Sequence, residues 1–190
     1  MDKRYISPGD LLRDAYELGW RVFDSGYRPD YLIGIWRGGT PIAIAIHELL
    51  HILGVNPDHL AIRTVSYTAI GRREQQVRVD GLEYLAGRLQ AGDRLLLVDD
   101  VHDTGLTLQQ VIEELGRACG SGTPDIRVAT PWYKPGNNRT GRVPDYYLHR
   151  CDEWLVFPHE LSGLTPAELE KHKPELAQLL DRLSPHLDFC

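Results

Sequence analysis

Three carboxylates, two threonines and a glycine crowd into the stretch Asp99-Asp100-Val101-His102-Asp103-Thr104-Gly105-Leu106-Thr107. The stretch leads into a helical pattern, and a helix N-terminus offers unpaired N–H groups and the positive end of a dipole to an anion. A phosphate-like ligand with carboxylates beside it is the chemistry this grouping suggests. An acidic turn that merely caps the helix would explain the threonines but not three carboxylates next to an anion site. Asp103-Thr104-Gly105 also matches an aspartic-protease triplet, but that chemistry needs a second Asp-Thr-Gly or Asp-Ser-Gly, and the chain contains none.

The flanking residues must position this turn. Leu95 to Val98 is a continuous apolar run, the pattern of a strand buried on both faces. Leu108, Val111, Ile112 and Leu115 recur at helical spacing after it. A second buried strand is expected at Tyr31 to Ile35, turning through Trp36-Arg37-Gly38-Gly39-Thr40 into a helix from Pro41 to Leu53. The two glycines allow close approach of backbone to a ligand, and Arg37 offers forked donors for phosphate. Ser7, Pro8 and Asp10 open an amphipathic helix that Gly26 ends. Further strands are expected over Ala61 to Tyr67, Val77 to Val79, Asp125 to Thr130, Asp145 to His149 and Trp154 to Phe157. Thr165-Pro166-Ala167-Glu168 is a capping box, and Pro174 divides the segment after it into two short helices.

His47-Glu48-Leu49-Leu50-His51 satisfies the zinc-peptidase pattern. The extended form of that pattern places a third histidine where Pro57 stands, and the surrounding helix is apolar almost all round, as expected of a core helix packed on a sheet. Zinc metallopeptidase chemistry is therefore the remote alternative.

The hydrophobic strand, the pair Asp99-Asp100 and the run Asp103-Thr104-Gly105-Leu106-Thr107 together resemble the phosphoribosyl diphosphate signature of the type I phosphoribosyltransferases. The resemblance runs from Tyr5 to about Glu160 and is nearest the 6-oxopurine enzymes. It implies an α/β fold with a mostly parallel central sheet, flanking helices and a small hood. Asp103 becomes the catalytic base. Arg37, Gly38, Asp99, Asp100, Thr104, Gly105, Leu106 and Thr107 bind phosphoribosyl diphosphate, and Asp99 and Asp100 also hold Mg2+. Ser66, Tyr67 and Arg73 belong to a mobile catalytic loop. Lys134, Trp154 and Leu155 bind the purine, the lysine through its 6-oxo group and the tryptophan by stacking. The Trp36–Arg37 peptide is expected to be cis. The implied reaction is purine salvage, converting hypoxanthine, guanine or xanthine with phosphoribosyl diphosphate to the nucleotide and diphosphate. A non-catalytic regulator that keeps the ribose-phosphate site is the alternative within the same fold, but it would be expected to carry a basic RNA face.

Composition sets outer bounds. The chain has 190 residues, 42% hydrophobic and 25% charged, with a formal net charge of -6. An acidic balance argues against a nucleic-acid partner. Cys119, Cys151 and Cys190 are odd in number and widely spaced, which suggests reduced thiols in a cytoplasmic protein. No apolar run reaches membrane length, so no membrane partner is expected. Residues 1–163 are expected to form the phosphoribosyltransferase domain with its hood segments. Residues 164–190 should add a helical extension packed on it, and a homodimer or homotetramer is expected.

Overall fold

The structure, a computed structural model, describes residues 3–68, 75–85 and 87–183, and at 66–68, 75–77, 121, 181 and 183 it describes the backbone alone. It divides into two compact units, one formed by residues 12–152 and the other by 1–11 with 153–190.

The larger unit is built on a sheet of strands β2 (Tyr31–Trp36), β3 (Asp58–Thr68), β4 (Gln75–Asp80), β5 (Arg94–Val98), β6 (Val101–His102), β7 (Asp125–Tyr133) and β8 (Tyr146–Arg150). All pairings are parallel except β3 with β4. The expected α/β architecture is therefore present. Leu95, Leu96, Leu97 and Val98 are completely buried, because β5 lies between β2 and β7 and is covered on both faces. Each such side chain contributes about 1.5–3 kcal/mol by leaving water, so Leu96→Ala would cost ~2–5 kcal/mol once its cavity is counted.

Helix α1 (Pro8–Asp24) is capped as its sequence demands, Ser7 Oγ accepting the Asp10 N–H at 3.1 Å. Its buried stripe is Leu11, Ala15, Leu18 and Val22. Helix α2 (Gly39–Ile52) differs from expectation. Ile42, Ala43, Ala45, Ile46 and Leu50 are buried, but Ile44 and Ile52 stand 61% and 81% exposed. Apolar content alone could not tell a covered face from an uncovered one. Helix α3 (Leu106–Cys119) covers β5 with Leu108, Val111 and Leu115.

In the smaller unit, β1 (Lys3–Tyr5) pairs in parallel with β9 (Trp154–Val156). Helices α4 (Pro166–His172) and α5 (Ala177–Leu183) follow, separated by a 3-10 turn over Pro174–Leu176. Thr165 and Glu168 form the full capping box. Val156, Leu164 and Leu169 make a small core, packed by Tyr5, Leu176 and Leu180. Lys173 is 2% exposed and donates to the carbonyls of Phe157 at 2.6 Å and Pro158 at 3.2 Å. Burial lowers its pKa. Among the described residues, no helix is long and apolar enough to cross a membrane.

Candidate active site

The carboxylate turn arises from an interruption in one strand line. β5 runs beside β7 as far as the pair Val98–Ala129, and β6 resumes beside the same strand at Val101–Trp132. Asp99 and Asp100 occupy the gap, with the Asp99 N–H still donating to Ala129 O at 3.2 Å. The Asp100 N–H donates to Asp99 Oδ1 at 3.0 Å. Burial, and then the neighbouring Asp100 carboxylate, push the Asp99 pKa well above the usual carboxylate range. Gly105 then takes φ +79° to start α3, a left-handed conformation that a side chain would strain. The resulting cavity of about 210 Å³ is lined by Asp99, Asp100, Asp103, Thr104, Gly105 and Thr107, among others.

The Arg37-Gly38-Gly39 turn packs directly on these aspartates. A Cβ on Gly38 would stand 1.8 Å from Asp100 Oδ2, and one on Gly39 would stand 2.3 Å from Val98 O. A side chain at Gly39 would run into fixed backbone, and one at Gly38 would have to displace the Asp100 carboxylate, so the two ligand-type turns expected from sequence are one cluster in space. The Trp36–Arg37 peptide between β2 and this turn is cis.

Asp103 is held from both sides. Lys134 Nζ lies 3.4 Å from Oδ2, and Asn137 Nδ2 donates to Oδ1 at 2.8 Å. The Lys134 side chain is 7% exposed, and its backbone N–H donates to His102 O at 2.9 Å. His102 itself is buried beneath the turn. Its ring packs against Gly105 and edge-on to Tyr133, and neither ring nitrogen has a hydrogen-bond partner of good geometry. Burial lowers its pKa. Sequence reasoning passed over both His102 and Asn137. A histidine in a two-residue strand and an asparagine in a Gly- and Asn-rich loop carry no pattern that singles them out.

The remaining expected residues divide as follows. Trp154 and Leu155 lie on β9 of the smaller unit, the first 54% exposed and the second buried. Ser66 and Tyr67 are backbone-paired with Val77 and Gln76. Arg73 lies outside the described residues. In the smaller unit, Glu160 Oε2 accepts the Phe157 N–H at 3.0 Å. On α2, the His47 and His51 rings are stacked 6.5 Å apart, His51 Nδ1 pairs with Asn56, and His47 faces His59. No group of three His, Cys, Asp or Glu among the described residues is placed to hold a metal ion.

A family model described as the phosphoribosyl transferase domain matches residues 9–163. This chain belongs to the phosphoribosyltransferase family. Xanthine-guanine phosphoribosyltransferases from Desulfotalea psychrophila and Nitratidesulfovibrio vulgaris are each 30% identical to it. The first match covers 86% of this chain and 90% of the relative, the second 78% of each. A purine phosphoribosyltransferase structure from Pyrococcus horikoshii Ot3 is 32% identical with a TM-score of 0.65, covering 87% of this phosphoribosyltransferase and 99% of that chain. The fold is that of the type I enzymes.

Proposed function

We propose that this phosphoribosyltransferase joins a 6-oxopurine, namely hypoxanthine, guanine or xanthine, to the ribose 5-phosphate of phosphoribosyl diphosphate. The observation that carries this reading is the nearly buried Lys134 beside Asp103, 3.4 Å away, at the mouth of the phosphate turn. O6 and N7 share one edge of a 6-oxopurine. A donor-only ammonium matches O6, and an adjacent carboxylate matches the proton on N7.

The chemistry follows from charge. The purine attacks C1′ through N9 as the C1′–O bond to diphosphate breaks, and the proton on N7 passes to Asp103. Positive charge gathering at the ribose is stabilised by fixed carboxylates in a partly dry site. Thr104, Gly105, Leu106 and Thr107 cradle the 5′-phosphate at the start of α3. Arg37 and Gly38 face the diphosphate.

Mg2+ belongs to the same reading. Asp99, its proton affinity raised by burial and then by the adjacent Asp100 carboxylate, forms with Asp100 a hard, oxygen-only donor set suited to that ion, which commonly takes one or two carboxylates and completes its shell with phosphate oxygens. Asp99 and Asp100 would hold it, and its charge would neutralise the departing diphosphate. The exposed Trp36, Ile44 and Ile52 of the larger unit support a homo-oligomer, and a cytoplasmic purine-salvage role completes the proposal.

Steady-state assays with each of the three 6-oxopurines, with phosphoribosyl diphosphate and Mg2+, test it. At least one base should turn over, and adenine, whose amino group would meet the Lys134 donor, should be worse by ~10⁴ or more. Absence of turnover with all three would overturn the reading, and efficient use of adenine would remove Lys134 from the base pocket.

A further inference from the structure

The loop after β7, Asn137 to Arg142, touches three consecutive residues of the phosphate turn. Asn137 Nδ2 donates to Asp103 Oδ1 at 2.8 Å, and the Arg139 N–H donates to Thr104 O at 2.9 Å. Thr140 Oγ1 lies where a Cβ on Gly105 would approach it to 2.6 Å. Asn138 ties the loop together from within. Its amide donates to Tyr133 Oη at 3.1 Å and Arg142 O at 2.9 Å, while its oxygen accepts the Thr140 N–H at 3.0 Å and hydroxyl at 3.1 Å. Every polar atom of the Asn138 side chain is therefore engaged, and its partners fix which way the amide faces.

We infer that Asn137 and Asn138 are positioning residues that set the phosphate turn for catalysis, an inference that rests on the proposed function of that turn. Two physical steps lead there. A carboxylate only accepts, so Asn137 must present its NH2 and thereby holds the Asp103 carboxylate in one rotation. In a trans peptide, C=O and N–H point in opposite directions. Pinning Thr104 O on the Arg139 N–H therefore turns the Gly105 N–H away from the loop and holds it there before any phosphate arrives. Donors fixed in advance do not have to reorganise when the anion binds. Asn137 thus acts on the proton-accepting group, and Asn138 acts, through Arg139 and Thr140, on the phosphate cradle.

The two roles predict different kinetic signatures. Asn137→Ala should lower kcat about tenfold with both KM values within about twofold, the loss expected for one hydrogen bond to a charged group. Asn137→Asp, the same shape with an acceptor facing Asp103, should be slower than the alanine variant. A residue that merely fills space would give the reverse order. Asn138→Ala should raise KM for phosphoribosyl diphosphate about tenfold while leaving KM for the purine within about twofold. Wild-type kinetics in Asn137→Ala and Asn138→Ala would overturn the inference. So would an equal rise in both KM values of Asn138→Ala alongside a lowered Tm. Asp103→Asn separates the two levels of the argument. If it is inactive while the asparagine variants match wild type, only this inference falls; if it keeps wild-type turnover, the proposed site falls and this inference with it.

Discussion

Asp99 in the larger unit and Glu168 in the smaller one are carboxylates pushed in opposite directions. Burial and the Asp100 carboxylate raise the Asp99 pKa. Glu168 is brought down to about 2, chiefly by Lys3, then by the Thr165 N–H and the Tyr5 hydroxyl. Lys3 Nζ lies 2.6 Å away and Tyr5 Oη 2.7 Å. The Tyr5 hydroxyl rises reciprocally to about 12, through burial and then through that hydrogen bond. The contrast separates two uses of charge. Glu168 is surrounded by donors, so its energy is spent joining β1 to α4. Asp99 has a like charge beside it, an arrangement that costs stability and that the proposed Mg2+ would relieve.

The contrast can be broken by substitution, and the largest effect belongs to the turn. Asp103→Asn should cut turnover by ~10²–10⁴ with substrate affinities little changed. A loss below about tenfold, short of the range for a general base, would take Asp103 out of that role. Lys134→Ala should follow, lowering kcat/KM for guanine and hypoxanthine by about 10–100-fold for one charged hydrogen bond. KM for phosphoribosyl diphosphate should hardly move, and an unchanged base KM would misplace the purine pocket. Asp99→Asn sharpens the comparison directly. It should lower turnover while raising the ligand-free Tm, because the like-charge cost disappears, a gain of about 1 kcal/mol in the range usual for relieved active-site strain. A fall in Tm would contradict the account of the pair.

The smallest effect is expected at Glu168. Its folded pKa lies below the usual value of 4.5, so its stabilisation is complete above pH 4.5 and is lost as pH falls toward about 2. Glu168→Gln should remove this acid-side dependence of Tm without altering kcat at neutral pH. An unchanged acid profile would show that Lys3 and Tyr5 hold Glu168 less firmly than the geometry indicates.

Much of this was legible in the chain. Leu95 to Val98 reads as a strand covered on both faces, since four consecutive apolar side chains leave no face for water. Ser7 and Thr165 announce their helices because capping is local chemistry between residues three apart. Asp99, Asp100 and Asp103 were conspicuous for the same reason: the turn that carries them is contiguous. Asn137 and Asn138 were not, because their partners lie at Asp103, Tyr133 and Arg142, and loop composition does not encode a partner.

By itself, the sequence determined the local things: where hydrophobic runs and caps place strands and helix starts, and which turn crowds its carboxylates. Periodicity and capping act over a few residues, so no other part of the chain is needed to read them. Tertiary structure alone decided which distant turns meet. It set Gly38 against Asp100, Lys134 beside Asp103, and β1 alongside β9, and it left Ile44 and Ile52 of α2 uncovered. Those outcomes depend on strand order and on which face each neighbour buries, and side-chain chemistry becomes a site only after that order has been chosen.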